Sequence, residues 1–106
     1  MFKKEFRLPK NVKFNKENQF FSNFFSIKVD DNKKDFNRFG IIVSKKIDSR
    51  AVIRNKIKRE IRRCIEENEK NVPAGKDMLI IVRPGIKDRQ INEICESVSK
   101  LFKKIK

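Results

Sequence analysis

The sequence predicts an α+β fold, a two-layer α/β sandwich in which two helices pack on a small mixed sheet. Short apolar runs typical of strands occur at 24–29, 39–43 and 78–82, and two longer segments repeat apolar residues every three or four positions. Over 39–82 a strand, a helix and a strand follow one another, which indicates a parallel βαβ crossover. No repeat or low-complexity linker interrupts the sequence, so we expect one domain over 1–106.

The N-terminal quarter carries the weakest structural signal. Residues 1–19 are basic and show little periodicity, so we expect an irregular arm. FFSIKV at 24–29 has the composition of a strand, and the polar residues 30–37 predict a loop. FGIIV at 39–43 predicts a second strand, in which Gly40 marks a bulge or a close backbone approach.

The first helix is predicted from about Ser49 to Asn68. Its apolar stripe comprises Ile53, Ile57, Ile61, Cys64 and Ile65. Asp48 or Ser49 is the expected N-cap, because a short polar side chain there accepts from free backbone N–H groups. The helix should end before Pro73, and Gly75 favours the turn that follows.

The C-terminal third predicts one more strand and one more helix. MLIIV at 78–82 is a continuous apolar run, typical of a strand covered on both faces. The helix should run from about Arg89 to Lys104, with Asp88 as its cap. Its apolar side comprises Ile91, Ile94, Cys95, Val98, Leu101, Phe102 and Ile105. One side of this helix is therefore expected in the core.

The charge balance points to a polyanionic partner. The chain has 28 Lys and Arg against 14 Asp and Glu, a formal charge of +14. Self-repulsion of this size destabilises a compact chain, so nucleic acid, an anionic membrane surface and an acidic protein are the candidate partner classes. No apolar stretch reaches the ~20 residues of a membrane span, and the N-terminus lacks the apolar part of a secretory signal. We expect a cytoplasmic location, with Cys64 and Cys95 as buried free thiols rather than a disulfide.

The residue inventory excludes several kinds of catalysis. The sequence contains no His, which rules out a His-dependent nuclease, a Ser–His triad and a His-ligated metal site. The acidic residues are scattered instead of clustered, which argues against an autonomous metal-dependent nuclease. We therefore expect no catalytic residue and no metal ligand in this chain.

The strongest functional signal is SKKIDSRAVIRNKIKREIRR at 44–63. It holds nine Lys or Arg and two acids, a net charge of +7 in twenty residues. At 100° per residue, one side of the helix carries the apolar stripe and the other a basic face. That face comprises Arg54, Asn55, Lys58, Arg59, Arg62 and Arg63. A merely solvated face would mix acids with bases, whereas only Glu60 interrupts this one, so we predict polyanion binding. The stripe has no Trp, Phe or Leu for membrane insertion.

The same segment carries a family resemblance. FGIIVSKK at 39–46 followed by AVIRNKIKREIRR at 51–63 resembles the signature of the bacterial ribonuclease P protein subunit. Its hallmark is an Arg-Asn-Arg-like tripeptide that continues as x-Lys-Arg on a helix, soon after a Val-Ser-Lys-Lys strand end. DMLIIVRP at 77–84 and RLPK at 7–10 are also similar to the family pattern. This ordered set is more specific than a basic helix alone.

The resemblance implies a fold, an activity and partners. The fold is an α/β sandwich with a left-handed βαβ crossover, an exception to the right-handed rule. The activity is that of an endoribonuclease whose catalytic RNA removes the 5′ leader of precursor tRNA with magnesium, which the RNA mainly binds. With Arg50 and Arg63 of the same basic segment, the RNA-binding candidates are Lys45, Lys46, Arg50, Arg54, Asn55, Lys56, Lys58, Arg59, Arg62 and Arg63. Lys56 stands where the family usually has Arg, so it keeps the charge but loses the bidentate fork.

The resemblance also implies a leader cleft on a concave, aromatic sheet face. The candidates for it are Phe14, Phe20, Phe25 and Lys28. Aromatic faces stack on unpaired bases at ~1–3 kcal/mol each, although a domain without Trp or Tyr also needs Phe for its core. Two departures from the family are visible: 11–23 lacks the periodicity of the family's first helix, and the loop at 48–50 is one residue longer.

One alternative function stays open at this point. A small RNA-binding protein of another kind, such as a ribosomal protein, fits the charge and the size equally well. The RNA that co-purifies distinguishes the two, because one structured RNA of several hundred nucleotides favours ribonuclease P.

Overall fold

A computed structural model describes residues 18–22, 24–86 and 90–105. Its elements are β1 (Gln19–Phe21), β2 (Phe25–Asp31), β3 (Arg38–Ile42), α1 (Ala51–Asn68), β4 (Lys76–Val82) and α2 (Ile91–Phe102), with short 3₁₀ turns at Glu69–Asn71 and Pro84–Ile86. The strands form one sheet in the order β1-β2-β4-β3. The predicted α+β class is confirmed, and β1, which begins at the last residue of the stretch expected to be irregular, is an additional strand. Residues 1–17 of that stretch lie outside the described residues.

The central strand of the sheet is β4. It pairs antiparallel with β2 and parallel with β3, so that Phe39 lies opposite Met78. Two parallel neighbours require the chain to cross from one end of the sheet to the other, and α1 lies in that connection. The βαβ crossover is therefore confirmed, while its left-handedness remains a prediction.

One face of the sheet, the inner face, forms the core with the two helices. The strands contribute Phe25, Ile27, Val29, Phe39, Met78, Ile80 and Val82, all buried. The helices contribute Ile57, Ile61, Cys64, Ile65, Ile94, Val98, Leu101 and Phe102. All of these belong to one contiguous apolar cluster, which accounts for the three-and-four spacing of both helices and the alternation of β2.

The opposite face, the outer face, is less covered. Leu79 and Ile81 of β4 are half-buried there, whereas Phe21 is 61% and Ile42 is 45% exposed. The prediction that β4 is covered on both faces is therefore wrong. Residues 79 and 81 point away from the face that the helices cover, because successive side chains on a strand alternate between faces.

The N-terminus of α1 differs from the expected cap. Arg50 occupies the N-cap position and makes no side-chain cap bond. Asp48, a predicted cap, instead accepts a hydrogen bond from the backbone N–H of Arg50 at 2.9 Å, which forms a turn before the helix. The N-cap of α2 is Gln90, and Asp88, the predicted cap there, lies outside the described residues.

A buried carboxylate organises the end of the sheet that lies beside the loop at 32–37. The Oδ1 and Oδ2 atoms of Asp77 accept from Nε and Nη2 of Arg38 at 2.7 and 2.6 Å, and Asn32 Nδ2 donates to Oδ1 at 3.0 Å. The hydrogen bond to Asp77 raises the pKa of the Arg38 guanidinium, against the lowering effect of burial. Gly75 adjoins this cluster with φ of +86°, and a Cβ there would lie 2.7 Å from the Lys34 carbonyl oxygen, so only glycine fits.

A disulfide joins the two helices. Cys64 of α1 and Cys95 of α2 are bonded, with their Cα atoms 4.9 Å apart. The prediction of two free thiols is therefore wrong. Each cysteine does lie on an apolar stripe as expected, but the two stripes face each other, and this pairing depends on how the helices pack.

We predict that reduction of the Cys64–Cys95 disulfide lowers the free energy of unfolding by about 2–4 kcal/mol, because the cross-link restricts the unfolded chain. Urea unfolding with and without a thiol reductant measures this difference. The double variant Cys64→Ala, Cys95→Ala is the control and should not respond to reductant. Two alkylated thiols in protein that was purified without reductant and then unfolded would contradict the assignment.

Candidate nucleic-acid interface

The exposed side of α1 carries a shallow basic groove. The groove has a volume of about 380 Å³ and is lined by Val52, Asn55, Lys58, Arg59 and Arg62. These residues recur at spacings of three and four, so they share one side of the helix. Burial of Ile57 and Ile61 on the opposite side fixes the rotation of α1 and turns the groove toward solvent.

The groove combines charge with two uncharged side chains. Lys58, Arg59 and Arg62 supply three cations, and Asn55 lies among them as a group that both donates and accepts. Val52 is 76% exposed. An anionic ligand that also presents hydroxyl groups or apolar surface matches this set better than a simple anion does.

Lys45 and Lys46 lie in a turn that follows β3. The backbone N–H of Ile47 donates to the carbonyl oxygen of Ser44 at 3.1 Å and closes the turn. Ile47 is buried, whereas both lysines are exposed. The buried isoleucine therefore anchors the turn, and both ammonium groups reach solvent a few residues before α1 begins.

Arg50 is engaged within the protein. Its Nε and Nη2 donate to Oδ1 and Oδ2 of Asp48 at 3.0 and 2.9 Å. The Asp48 side chain is 4% exposed and the Arg50 side chain 68% exposed. A solvent-exposed guanidinium thus lies against a buried carboxylate, and this candidate for RNA binding already has an anionic partner.

Arg54 is also turned toward the protein. Its Nη1 donates to the carbonyl oxygens of Asp48 at 3.1 Å and of Ser49 at 2.8 Å, and the residue is half-buried. The sequence placed Arg54 on the basic face. In the structure it fastens the loop before α1 to the first turn of the helix.

The remaining candidates on α1 lie on its flank. Lys56 and Arg63 are exposed, seven residues apart, and therefore close to one another around the helix. Arg63 Nε contacts Glu67 Oε1 at 3.4 Å, an exposed i,i+4 ion pair. The structure thus unites Asn55, Lys58, Arg59 and Arg62 in the groove and leaves these two beside it.

The cleft candidates do not share one surface. Phe25 has no exposed surface and belongs to the core, so it cannot stack on a base. Phe20 is half-buried and packs against the same core, whereas Lys28 is half-buried on the outer face. Phe14 lies outside the described residues. Phe25 and Lys28 could not line one cleft, because side chains on a strand alternate between the two faces of the sheet. These two residues of β2 are three positions apart and therefore point to opposite faces.

The outer face holds residues that the sequence did not single out. Phe21 and Ile42 are exposed there, and Leu79 and Ile81 lie between them on the central strand. The sequence analysis missed these residues because it did not predict β1, a strand of only three residues. Had it been predicted, its pairing with β2 would have placed Phe21 beside Ser26 on the face of Lys28.

The described residues contain neither a membrane-spanning helix nor a cluster of metal-ligating side chains. No helix among them is long and apolar enough to cross a bilayer. In the same ranges, no three His, Cys, Asp or Glu side chains are grouped so that they could hold a metal ion.

Comparisons with known proteins give a consistent result. The family model described as Ribonuclease P matches residues 2–106. The ribonuclease P protein component of Bacillus mycoides is 37% identical over 107 residues, covering 96% of this chain and 92% of that protein. The Brevibacillus brevis protein component is 42% identical over a shorter stretch of 69 residues, covering 65% of this chain and 54% of its own length. The solved RNase P protein of Staphylococcus aureus superimposes with a TM-score of 0.81 at 34% identity, covering 92% and 93% of the two chains.

The contacts of Arg54 generate a stability prediction. Arg54→Ala should lower the free energy of unfolding by about 1–2 kcal/mol, because two hydrogen bonds from a charged donor to loop carbonyls are lost. Arg59→Ala is the matched control, since it makes the same substitution on the exposed side of the same helix. Its effect should stay within about 0.5 kcal/mol. Equal stability of the two variants in urea unfolding would show that the Arg54 contacts contribute nothing.

Proposed function

The chain belongs to the ribonuclease P protein family, which is involved in processing the 5′ ends of tRNA, and from this membership we propose its molecular role. The protein binds the catalytic RNA of ribonuclease P and the 5′ leader of precursor tRNA. The RNA performs the endonucleolytic hydrolysis of the phosphodiester bond, and the protein improves substrate binding. We also propose a cytoplasmic location, with the catalytic RNA and precursor tRNA as the protein's partners.

The observation that carries the proposal is the basic groove on α1. Cations that neutralise phosphates release condensed counterions, and this release supplies much of the affinity of proteins for nucleic acids. Lys58, Arg59 and Arg62 are held on a helix whose other side is locked in the core, so their spacing is fixed before RNA binds. Lys45 and Lys46 add charge at the start of the same segment.

Asn55 gives the groove a second kind of contact. Its side-chain amide both donates and accepts, which suits a ribose 2′-hydroxyl group or the edge of an unpaired base. Phosphate contacts alone position a protein on RNA without distinguishing one RNA from another. We therefore assign Asn55 to the recognition of one register on the catalytic RNA.

The leader of precursor tRNA is assigned to the outer face of the sheet. Phe21 and Ile42 are exposed there, and Lys28 lies on the same face. An unpaired strand combines flat bases with phosphates, so an aromatic ring, apolar surface and a cation together suit it. Of the leader-cleft candidates predicted from the sequence, Lys28 is retained, and the exposed Phe21 takes the place of the buried Phe25.

Magnesium belongs to the RNA in this proposal. The described residues hold no group of three acidic, His or Cys side chains that suits a metal ion. We assign no step to a metal bound by this protein. Its cations instead offset repulsion between RNA phosphates, which lets the RNA retain its own metal ions at lower magnesium concentration.

The division of labour between protein and RNA is testable by reconstitution. The purified protein alone should not cleave precursor tRNA, with or without magnesium, because its sequence contains no His and its acidic residues are scattered. Added to a bacterial ribonuclease P RNA at low magnesium, it should accelerate removal of the leader. Site-specific cleavage by recombinant protein freed of RNA would overturn the proposal.

The groove is testable through the salt dependence of RNA binding. Lys58→Ala and Arg62→Ala should each reduce the slope of log K against log salt concentration by roughly 0.7–0.9, the value for one phosphate contact. Lys103→Ala removes the same charge from an exposed position after α2 and should leave the slope unchanged. Asn55→Ala should weaken binding by about 1–2 kcal/mol at constant slope. Slopes unaltered by both groove variants would place the RNA elsewhere.

A further inference from the structure

We propose that Asp48 is a positioning residue that holds Arg50 in an intramolecular ion pair and so withholds this cation from RNA phosphates. The inference rests on the proposed function, because it concerns which cations of the basic segment take part in RNA binding. Arg50 is one of nine Lys or Arg residues in 44–63, and its bidentate pair with a nearly buried carboxylate distinguishes it from the cations of the groove.

The geometry of the Asp48–Arg50 ion pair is that of a strong, bidentate contact. The guanidinium of Arg50 meets both carboxylate oxygens of Asp48 through two parallel hydrogen bonds, at 3.0 and 2.9 Å. Bidentate pairs of this kind are stronger and more directional than single contacts. The backbone N–H of Arg50 donates to the same Oδ1 at 2.9 Å, so three bonds join two residues that are only two positions apart.

The difference in burial makes exchange of partners unfavourable. The Asp48 side chain is 4% exposed, although that of Arg50 is 68% exposed. If the guanidinium moved to an RNA phosphate, the nearly buried carboxylate of Asp48 would lose two charge-assisted hydrogen bonds, and bonds lost at a buried site are not readily replaced by water. The Asp48–Arg50 pair as a whole carries no net charge, whereas the exposed Arg59 presents a full positive charge to a phosphate.

Arg54 also bonds the loop that contains Asp48. Its Nη1 bonds the carbonyl oxygens of Asp48 and Ser49, so the loop is fixed both by its carboxylate and by its backbone. The loop connects the turn that carries Lys45 and Lys46 to the first turn of α1. The Asp48–Arg50 pair therefore keeps two parts of the RNA-binding surface in one relative position and excludes its own cation from that surface.

The test is Asp48→Asn, titrated against a bacterial ribonuclease P RNA transcribed in vitro over a series of salt concentrations. The asparagine keeps its Oδ1 acceptor for the backbone N–H of Arg50 but no longer carries the charge that pairs with the guanidinium. Arg50 should then take one phosphate, and the slope of log K against log salt should steepen by roughly 0.7–0.9.

Three variants separate this effect from other causes. Asp31→Asn removes another carboxylate that pairs with a lysine, Lys76, and should leave the slope unchanged despite the same change in net charge. The double variant Asp48→Asn, Arg50→Ala should return the slope to that of the wild type. Arg50→Ala alone should leave the slope unchanged. This variant keeps the bond from the backbone N–H of residue 50 to Asp48 Oδ1, so it decides the test if Asp48→Asn fails to fold in a thermal melt.

The outcomes are distinct. A fall of the slope by one contact in Arg50→Ala would show that Arg50 binds RNA directly, and the proposal would be wrong. An unchanged slope in folded Asp48→Asn, or a steepening that persists without Arg50, would also overturn it. Failure of the wild type to bind the RNA with any salt dependence would instead refute the proposed function.

Discussion

Parallel pairing of β3 with β4 obliges the chain to return across the sheet between these strands, and α1 lies in that return. The helix buries Ile57 and Ile61 against the inner face of the sheet, and this fixes which side of the helix faces solvent. The turn after β3 meets the start of α1 for the same reason. The cations of 44–63 form one surface because the pairing of β3 with β4 fixes where both ends of this segment lie.

Periodicity was sufficient to predict the elements that bury a regular stripe. The helix expected at 49–68 is observed at 51–68, and the strand expected at 78–82 begins two residues earlier. What sequence could not provide were the features that depend on a distant partner. The short β1 exists through its pairing with β2, and the Cys64–Cys95 bond exists through the crossing of two helices. Neither contact leaves a local pattern.

The candidate interface shows the same limit at the level of single side chains. A helical projection correctly grouped Asn55, Lys58, Arg59 and Arg62, because their common direction depends only on the helix period. It could not separate Arg50 and Arg54 from them. The side chains of both arginines donate hydrogen bonds to the loop at 48–50. These bonds depend on the turn that Asp48 forms before the helix begins. Charge counts therefore overstate the cations available to a ligand.

The sheet order has a consequence for biosynthesis. β4 separates β2 from β3, and its register brings Phe25 opposite Val82. As the chain leaves the ribosome, β2 and β3 emerge first and have no neighbour between them until 76–82 has been made. The basic helix is therefore complete before the strand that will support it exists. Most of the sheet is assembled from contacts between residues far apart in sequence, which slows folding compared with a helical bundle of equal size.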